Sequence, residues 1–264
     1  MECNKVRYSQ ENGVAVITMD YPDNLNAIDE QMADALLSVL ERAESDPVVK
    51  VLLLKGAEKA FSAGGDIRYF YHQIEAGGEV NLDPLIAKVG KLTQRMKGMD
   101  KLIVTAVNGA AAGAGVSLAL SGDFLICGDN AKFILAFANL GLVPDTGAAY
   151  LLAKSIGAAR TLELAVTGRP MDASEALTLG LAHRVVPRNE LAEAAMHFAQ
   201  KLADGPLIAY KNIKKQIYEA SFSDYSRWLS ETEAATQHEC ALTQDFQEGV
   251  KAFIEKRSPA FCGR

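Results

Sequence analysis

The chain has 264 residues, 49% hydrophobic and 23% charged, enough to bury the core of one domain with a small appendage. A formal net charge of −6 and an isoelectric point near 5.3 argue against a nucleic-acid-binding surface, so an anionic ligand would have to be met by helix N-termini and a few placed cations. Cys3, Cys127, Cys240 and Cys262 lie far apart without a CxxC pair, which argues against a zinc ribbon or thioredoxin motif and predicts free thiols in a reducing compartment.

The N-terminus shows neither an apolar signal core nor an Arg/Ser-rich transit pattern, and the apolar stretch 101–120 is interrupted by Asn108 and several glycines. A cytoplasmic protein with no membrane partner is therefore expected. Two β-like runs, Val14–Met19 and residues 48–54, bracket a helical pattern over 29–44 in which Met32, Leu36, Leu37 and Leu40 recur and Asp29 is the N-cap. Strand, helix and strand make a βαβ unit and favour a parallel sheet. The loop Ala60-Phe61-Ser62-Ala63-Gly64-Gly65-Asp66-Ile67 follows. Its small residues let a ligand approach backbone N–H groups, although a plain strand-to-helix turn capped by Asp66 is the commoner meaning of such a pattern taken alone. Residues 68–101 carry Tyr69, Phe70 and Tyr71, a Gly77-Gly78 break and a helical pattern over 83–96. This stretch reads as an active-site flap or a surface excursion, and the three aromatics as pocket lining or helix packing.

Leu102–Val107 is a predicted buried strand that runs into Asn108-Gly109-Ala110-Ala111-Ala112-Gly113-Ala114-Gly115 and a helix ending near Ser121. The glycine spacing matches neither a dinucleotide fingerprint nor a P-loop. A small-residue helix start favours developing negative charge, and close helix–sheet packing is the alternative reading. A strand over 124–127 follows Asp123, which reads as a structural hydrogen-bond acceptor. From residue 190 the pattern is helical, in stretches 190–202, 208–219 and 224–256. His72, His183, His197 and His238 show no metal-ligand spacing, and no metal site is expected.

Several motifs resemble the crotonase (enoyl-CoA hydratase/isomerase) family in order and spacing. They are Asn24-Leu25-Asn26-Ala27, Phe61 to Ile67, Val107-Asn108-Gly109 with Gly113-Ala114-Gly115, Gly141-Leu142-Val143-Pro144, the run 173–180 before Val185-Val186, and the tail 248–257. The resemblance implies an α/β spiral of ββα units with a C-terminal helical module, divided as a core of 1–200 and an oligomerisation module of 201–264. It implies backbone N–H donors at Gly65 and Ala114 for a thioester oxygen, and CoA contacts from Leu25, Asn26, Ala27, Ala63 and Gly64. Phe253 and Lys256 are expected to close over the nucleotide, often from a neighbouring subunit, in a trimer or pair of trimers. CoA enters as part of the substrate and no separate cofactor is expected. Relatives often have a basic residue where this chain has Asp23, which leaves Arg68 and Lys256 as the phosphate contacts.

The two glutamates of a hydratase fall on Ser117 and Phe137, and neither side chain can do acid/base work on water. A dienoyl-CoA isomerase would also want a carboxylate at Phe137, and a 4-chlorobenzoyl-CoA dehalogenase a Trp there. Asp145, directly after Pro144, resembles the lone carboxylate of Δ3,Δ2-enoyl-CoA and 1,2-epoxyphenylacetyl-CoA isomerases. Its alternative reading is an N-cap for a helix beginning at Thr146. The expected activity is acyl-CoA isomerisation with Asp145 as acid/base and Phe137 beside the substrate. A hydratase-like lyase or a non-catalytic acyl-CoA-binding homologue are the alternatives.

Overall fold

The computed structural model describes residues 5–57, 59–77 and 80–264, so Cys3 and Gly78 lie outside the described residues. Val6–Glu11 (β1) and Val14–Met19 (β2) form an antiparallel hairpin across Asn12-Gly13. These two residues take φ of 48° and 79°, the left-handed pair that a two-residue hairpin turn requires. β1 is an exposed edge strand with a largely polar sequence, VRYSQE, and it is an addition to the predicted elements.

Val51–Gly56 (β3), Leu102–Val107 (β4), Phe124–Gly128 (β6) and Arg184–Val186 (β9) extend the sheet in parallel, in the order β1-β2-β3-β4-β6-β9. The run expected over 48–54 therefore starts three residues later and ends two later, because Val48 is exposed and Asp46 accepts its N–H. β2 and β4 are buried at every position and β3 at all but Lys55, as strands covered on both faces must be. On one face, Val14, Val16, Val51, Leu53, Leu102 and Val104 pack on Leu191, Ala195, Ala199 and Leu202, which lie on helix Leu191–Ala203. On the other face a single buried cluster runs from Ala15 to Val250. It takes in Tyr225, Ala241, Phe246 and Val250, so the C-terminal helices share a core with residues 1–200.

A second, three-stranded layer is built from Ala110–Ala112 (β5), Lys132–Ile134 (β7) and Met171–Asp172 (β8). Successive turns of the chain repeat one path. β4 leaves the large sheet through Asn108-Gly109, forms β5 in the small layer, and enters helix Ala114–Ser121. β6 passes likewise into β7, and β3 into Ser62, which bridges Ala111, before helix Ile67–Glu75. β2 does the same through Ile28, which bridges Gly65, before helix Glu30–Ser45. This is the expected spiral of ββα units. Gly109 makes one corner: its φ is 63°, and a Cβ there would lie 2.1 Å from the Lys59 carbonyl oxygen, a distance no side chain tolerates.

The N-caps read from the sequence are present. Asp29 accepts from the Met32 N–H, and Asp66 from Arg68 and Tyr69. Residues 68–101 are mostly two helices, Ile67–Glu75 and Asp83–Gly98, which bury Phe70, Ile86, Val89, Leu92 and Met96. The stretch expected as one helical run over 224–256 is two: a continuous helix from Tyr225 to Ala241 with a π-helical turn at Leu229–Glu233, and Gln244–Glu255 after a break at residues 242–243. Among the described residues no helix is long and apolar enough to cross a membrane.

Candidate functional site

The two small-residue loops meet. Gly64, at φ 85°, lies so close to β5 that a Cβ would be 2.6 Å from the Ala112 carbonyl oxygen and 3.3 Å from Gly113 Cα. Hydrogen bonds set the direction of the first loop. Ile28 N–H donates to Gly64 O at 2.6 Å and Asp66 N–H to Ile28 O at 3.3 Å. In this parallel bridge the N–H of the residue between them, Gly65, points away from Ile28. Ala114 is the first residue of helix Ala114–Ser121, whose leading N–H groups have no partner within the helix. No hydrogen-bond acceptor for either N–H occurs among the described residues.

Both residues line a cavity of about 330 Å³. Its walls are apolar and come from both ends of the flap, the small layer and the C-terminal tail: Phe70, Leu82, Leu85, Ile86, Val89, Phe137 and Phe253 among others. Among the described lining residues Asp145 is the single ionisable side chain.

Asp145 is 7% exposed. Burial, and then the nearby carboxylate of Glu233, push its pKa up from 3.8 to about 7; loss of hydration disfavours the charged form and a like charge adds to it. Gln237 Nε2 donates to Asp145 Oδ2 at 3.0 Å, and Thr146 Oγ1 lies 3.2 Å from Oδ1. Thr146 also donates to Ser117 Oγ at 2.8 Å, and Ser117 Oγ donates to the Asp145 carbonyl at 3.1 Å. A buried carboxyl with an acidity near neutrality, beside unpaired N–H groups in an apolar pocket, suits proton transfer to and from carbon.

The N-cap reading of Asp145 does not hold. Helix Ala148–Ile156 starts after Gly147 with no side-chain cap of its own. Glu233 serves it from 86 residues away, accepting from Gly147 N–H at 2.6 Å and from Tyr150 N–H at 3.3 Å.

The model of the family described as enoyl-CoA hydratase/isomerase matches residues 9–264. The chain belongs to that family. It is 33% identical to a trans-2-decenoyl-[acyl-carrier-protein] isomerase of Streptococcus mutans over the full length of both. It is 36% identical to a 1,2-epoxyphenylacetyl-CoA isomerase of Escherichia coli, covering 96% of this chain and 97% of that one. Its structure matches that of an enoyl-CoA hydratase from Mycobacterium avium subsp. paratuberculosis with a TM-score of 0.88, at 30% identity and 98% coverage of each chain. Members of the enoyl-CoA hydratase/isomerase family are enzymes, and acyl-CoA thioesters are consistent with it as substrates.

Of the residues singled out in the sequence, Gly65, Ala114, Asp145, Ala63, Phe137 and Phe253 border the cavity of this family member. Phe253 does so within its own chain, at 59% exposure. Leu25, Asn26, Ala27, Gly64, Arg68 and Lys256 do not line it. Asn26 is fully buried. Its amide donates to the Ala57 and Ala60 carbonyls and its oxygen accepts from Tyr21 N–H, so the side chain holds the loop. Leu25 O accepts from Ala63 N–H at 2.9 Å. Arg68 and Lys256 are exposed. Of the three aromatics, only Phe70 lines the cavity. Glu233 and Gln237 went unread in the sequence, because polar residues on a helical stretch pass for a solvated face.

Proposed function

We propose that the chain isomerises an enoyl-type acyl-CoA thioester, by a double-bond shift or a ring-epoxide isomerisation, through an enolate with Asp145 as its single acid/base. The observation that carries this reading is the lone carboxyl in an apolar cavity that also holds the Gly65 and Ala114 N–H groups. In a double-bond shift, the C2–H bond breaks and its proton passes to Asp145. The electron pair conjugates into the thioester, and the oxyanion accepts hydrogen bonds from the two N–H groups. The proton then returns to C4 as the double bond moves to C2–C3. One group suffices for both transfers, whereas hydration needs a second to position water. Ser117, which spends its hydroxyl on the Asp145 carbonyl, and the apolar Phe137 cannot supply it. The isomerase names of two relatives support the same side.

The CoA moiety is proposed to lie over the backbone of Leu25, Asn26, Ala27, Ala63 and Gly64, with Arg68 and Lys256 near its phosphates and Phe253 at the cavity rim. The helical segment 201–264 is proposed to join subunits as a trimer or pair of trimers. Phe246 and Val250 pack on their own chain, while Ile208, Ile217 and Phe253 stay exposed for a neighbour.

The test is conversion of 3-hexenoyl-CoA, followed by the ultraviolet rise of the conjugated thioester, in wild type and Asp145→Asn. The expected outcome is turnover in the first alone, with crotonyl-CoA hydration at background. Equal turnover in both overturns the acid/base assignment, and binding without turnover in wild type favours a non-catalytic homologue.

A further inference from the structure

Behind Asp145, away from the elements that carry the family motifs, lie two buried polar side chains one helical turn apart, Glu233 and Gln237. Gln237 has its orientation fixed. Val143 N–H donates to its Oε1 at 3.0 Å, so Oε1 must be the acceptor and the NH₂ group must face Asp145 Oδ2. An NH₂ group only donates, and Oδ2 is therefore held as an acceptor. A proton on Asp145 belongs on Oδ1, where the Thr146 hydroxyl can turn to receive a hydrogen bond.

Glu233 is held by donors alone. Gly147 N–H, Tyr150 N–H and Trp228 Nε1–H reach its two oxygens at 2.6, 3.3 and 3.2 Å. The π-helical turn makes the last contact possible, because the wider turn brings residues five apart onto one face. Burial disfavours charge on both acids, but Glu233 is met by three N–H donors, whereas Asp145 has the Gln237 amide, its own backbone N–H and a shared hydroxyl. Of the two buried acids, Glu233 keeps the negative charge and Asp145 takes the proton.

Resting on the acid/base reading of Asp145, we infer that Gln237 and Glu233 are its positioning residues: Gln237 assigns the transferred proton to Oδ1, and Glu233 is an anion placed to oppose charge on it. The other ionisable groups nearby leave this pair in control. Tyr225 bonds Thr93 at 3.2 Å and Tyr150 bonds Asp224 at 2.5 Å. Burial raises both phenols above their ordinary value, so they stay neutral. Lys154 sits over the Tyr150 ring, and His238 pairs with Asp83 at the surface. Among the described residues no cation pairs with Asp145 or Glu233.

The two contacts act on Asp145 in opposite directions, and this makes the test specific. Glu233→Gln removes the opposing charge, so Asp145 ionises more easily. The acid limb of kcat/KM on 3-hexenoyl-CoA should then move down by roughly one pH unit. Gln237→Leu removes the donor that favours the carboxylate, and the limb should move up by a comparable amount. Trp228→Phe deletes one donor to Glu233 without touching Asp145 and should move the limb slightly down, which covers the case where Glu233→Gln fails to fold. The same order should appear without turnover, in an infrared titration of the carboxyl band that Asp145→Asn eliminates. Limbs that stay in place, or move in one direction for all variants, overturn the inference while leaving the acid/base reading intact if Asp145→Asn is inactive. An active Asp145→Asn overturns both.

Discussion

The side chains of Asp123 and Asp145 are both hidden from solvent, and their surroundings give them opposite characters. Asp123 lies at the start of β6 with a cation beside it. Its Oδ2 accepts from Lys214 Nζ at 2.9 Å and from Ile103 N–H at 2.8 Å, and its Oδ1 from the Tyr218 hydroxyl at 2.5 Å. Lys214 completes its own donors on the Met96 and Lys101 carbonyls. Lys97, buried close by, adds a second attraction to Asp123, and the group ties helix Leu207–Phe222 to the sheet. Asp145 has no cation, a second carboxylate behind it and an apolar cavity in front. Burial with a counter-ion yields a structural tie; burial without one yields a group that takes up and releases a proton near neutrality.

The comparison is broken most directly by exchanging each aspartate for its amide. Asp145→Asn should lower isomerisation by roughly a thousandfold or more, in the range of a lost general acid/base, while acyl-CoA binding measured by calorimetry changes little. Asp123→Asn should leave kcat per folded molecule unchanged. Comparable losses of kcat in both variants would mean that Asp145 is another structural tie.

The donors opposite Asp145 come next. Ala114→Pro removes the N–H at the first position of helix Ala114–Ser121, where proline fits the helix, and sets a ring carbon in place of the proton. It should reduce kcat roughly a hundredfold, as loss of one oxyanion donor does. An unchanged kcat would place the thioester oxygen elsewhere.

Much of this site was legible. Asp145 after Pro144, the two glycine-bearing loops and the N-cap at Asp66 all stand out in the sequence, because turns and caps use few residue types for local reasons. What the chain brings together from a distance was not. Nothing local says that Gly64 touches β5, or that a glutamate 86 residues beyond Gly147 would relieve Asp145 of capping its helix. Glu233 and Gln237 occupy helix positions where burial usually selects apolar residues, so their spacing reads as solvent-facing. β1 was missed although Asn12-Gly13 marks a hairpin, since an edge strand as polar as VRYSQE lacks the apolar alternation of a half-buried one.

The structural aspartate makes its own demand. Lys214→Met removes the cation bonded to Asp123, leaving Lys97 alone to offset that buried charge, and leaves two carbonyls without their donor. The expected cost is about 3–5 kcal/mol of stability in denaturant unfolding, with kcat of the folded fraction intact. Adding Asp123→Asn should recover part of it. A loss below about 1 kcal/mol would mean that water reaches Asp123 and that the pair is a surface bridge in effect.

The smallest effect separates the two sites by pH. Asp145 titrates at about 7 in the folded chain against 3.8 for the free side chain. A carboxyl whose folded value is raised contributes fully to stability below the unfolded value and loses that contribution as pH climbs through the folded one. Between about pH 4 and pH 7 the unfolded chain ionises this group while the folded chain keeps it protonated, so the wild type is progressively penalised; above pH 7 the folded chain holds the anion and the penalty stays constant. Asp145→Asn carries no charge and escapes that penalty, but its amide meets the Gln237 NH₂ less well than a carboxylate does. The net gain expected above neutrality is roughly 1–3 kcal/mol, fading to nothing or to a small loss near pH 4. Thermal unfolding of the two proteins across that range measures it. The gap in Tm should open with rising pH, whereas a gap independent of pH would show that Asp145 is already ionised throughout, as a solvated or cation-paired aspartate would be.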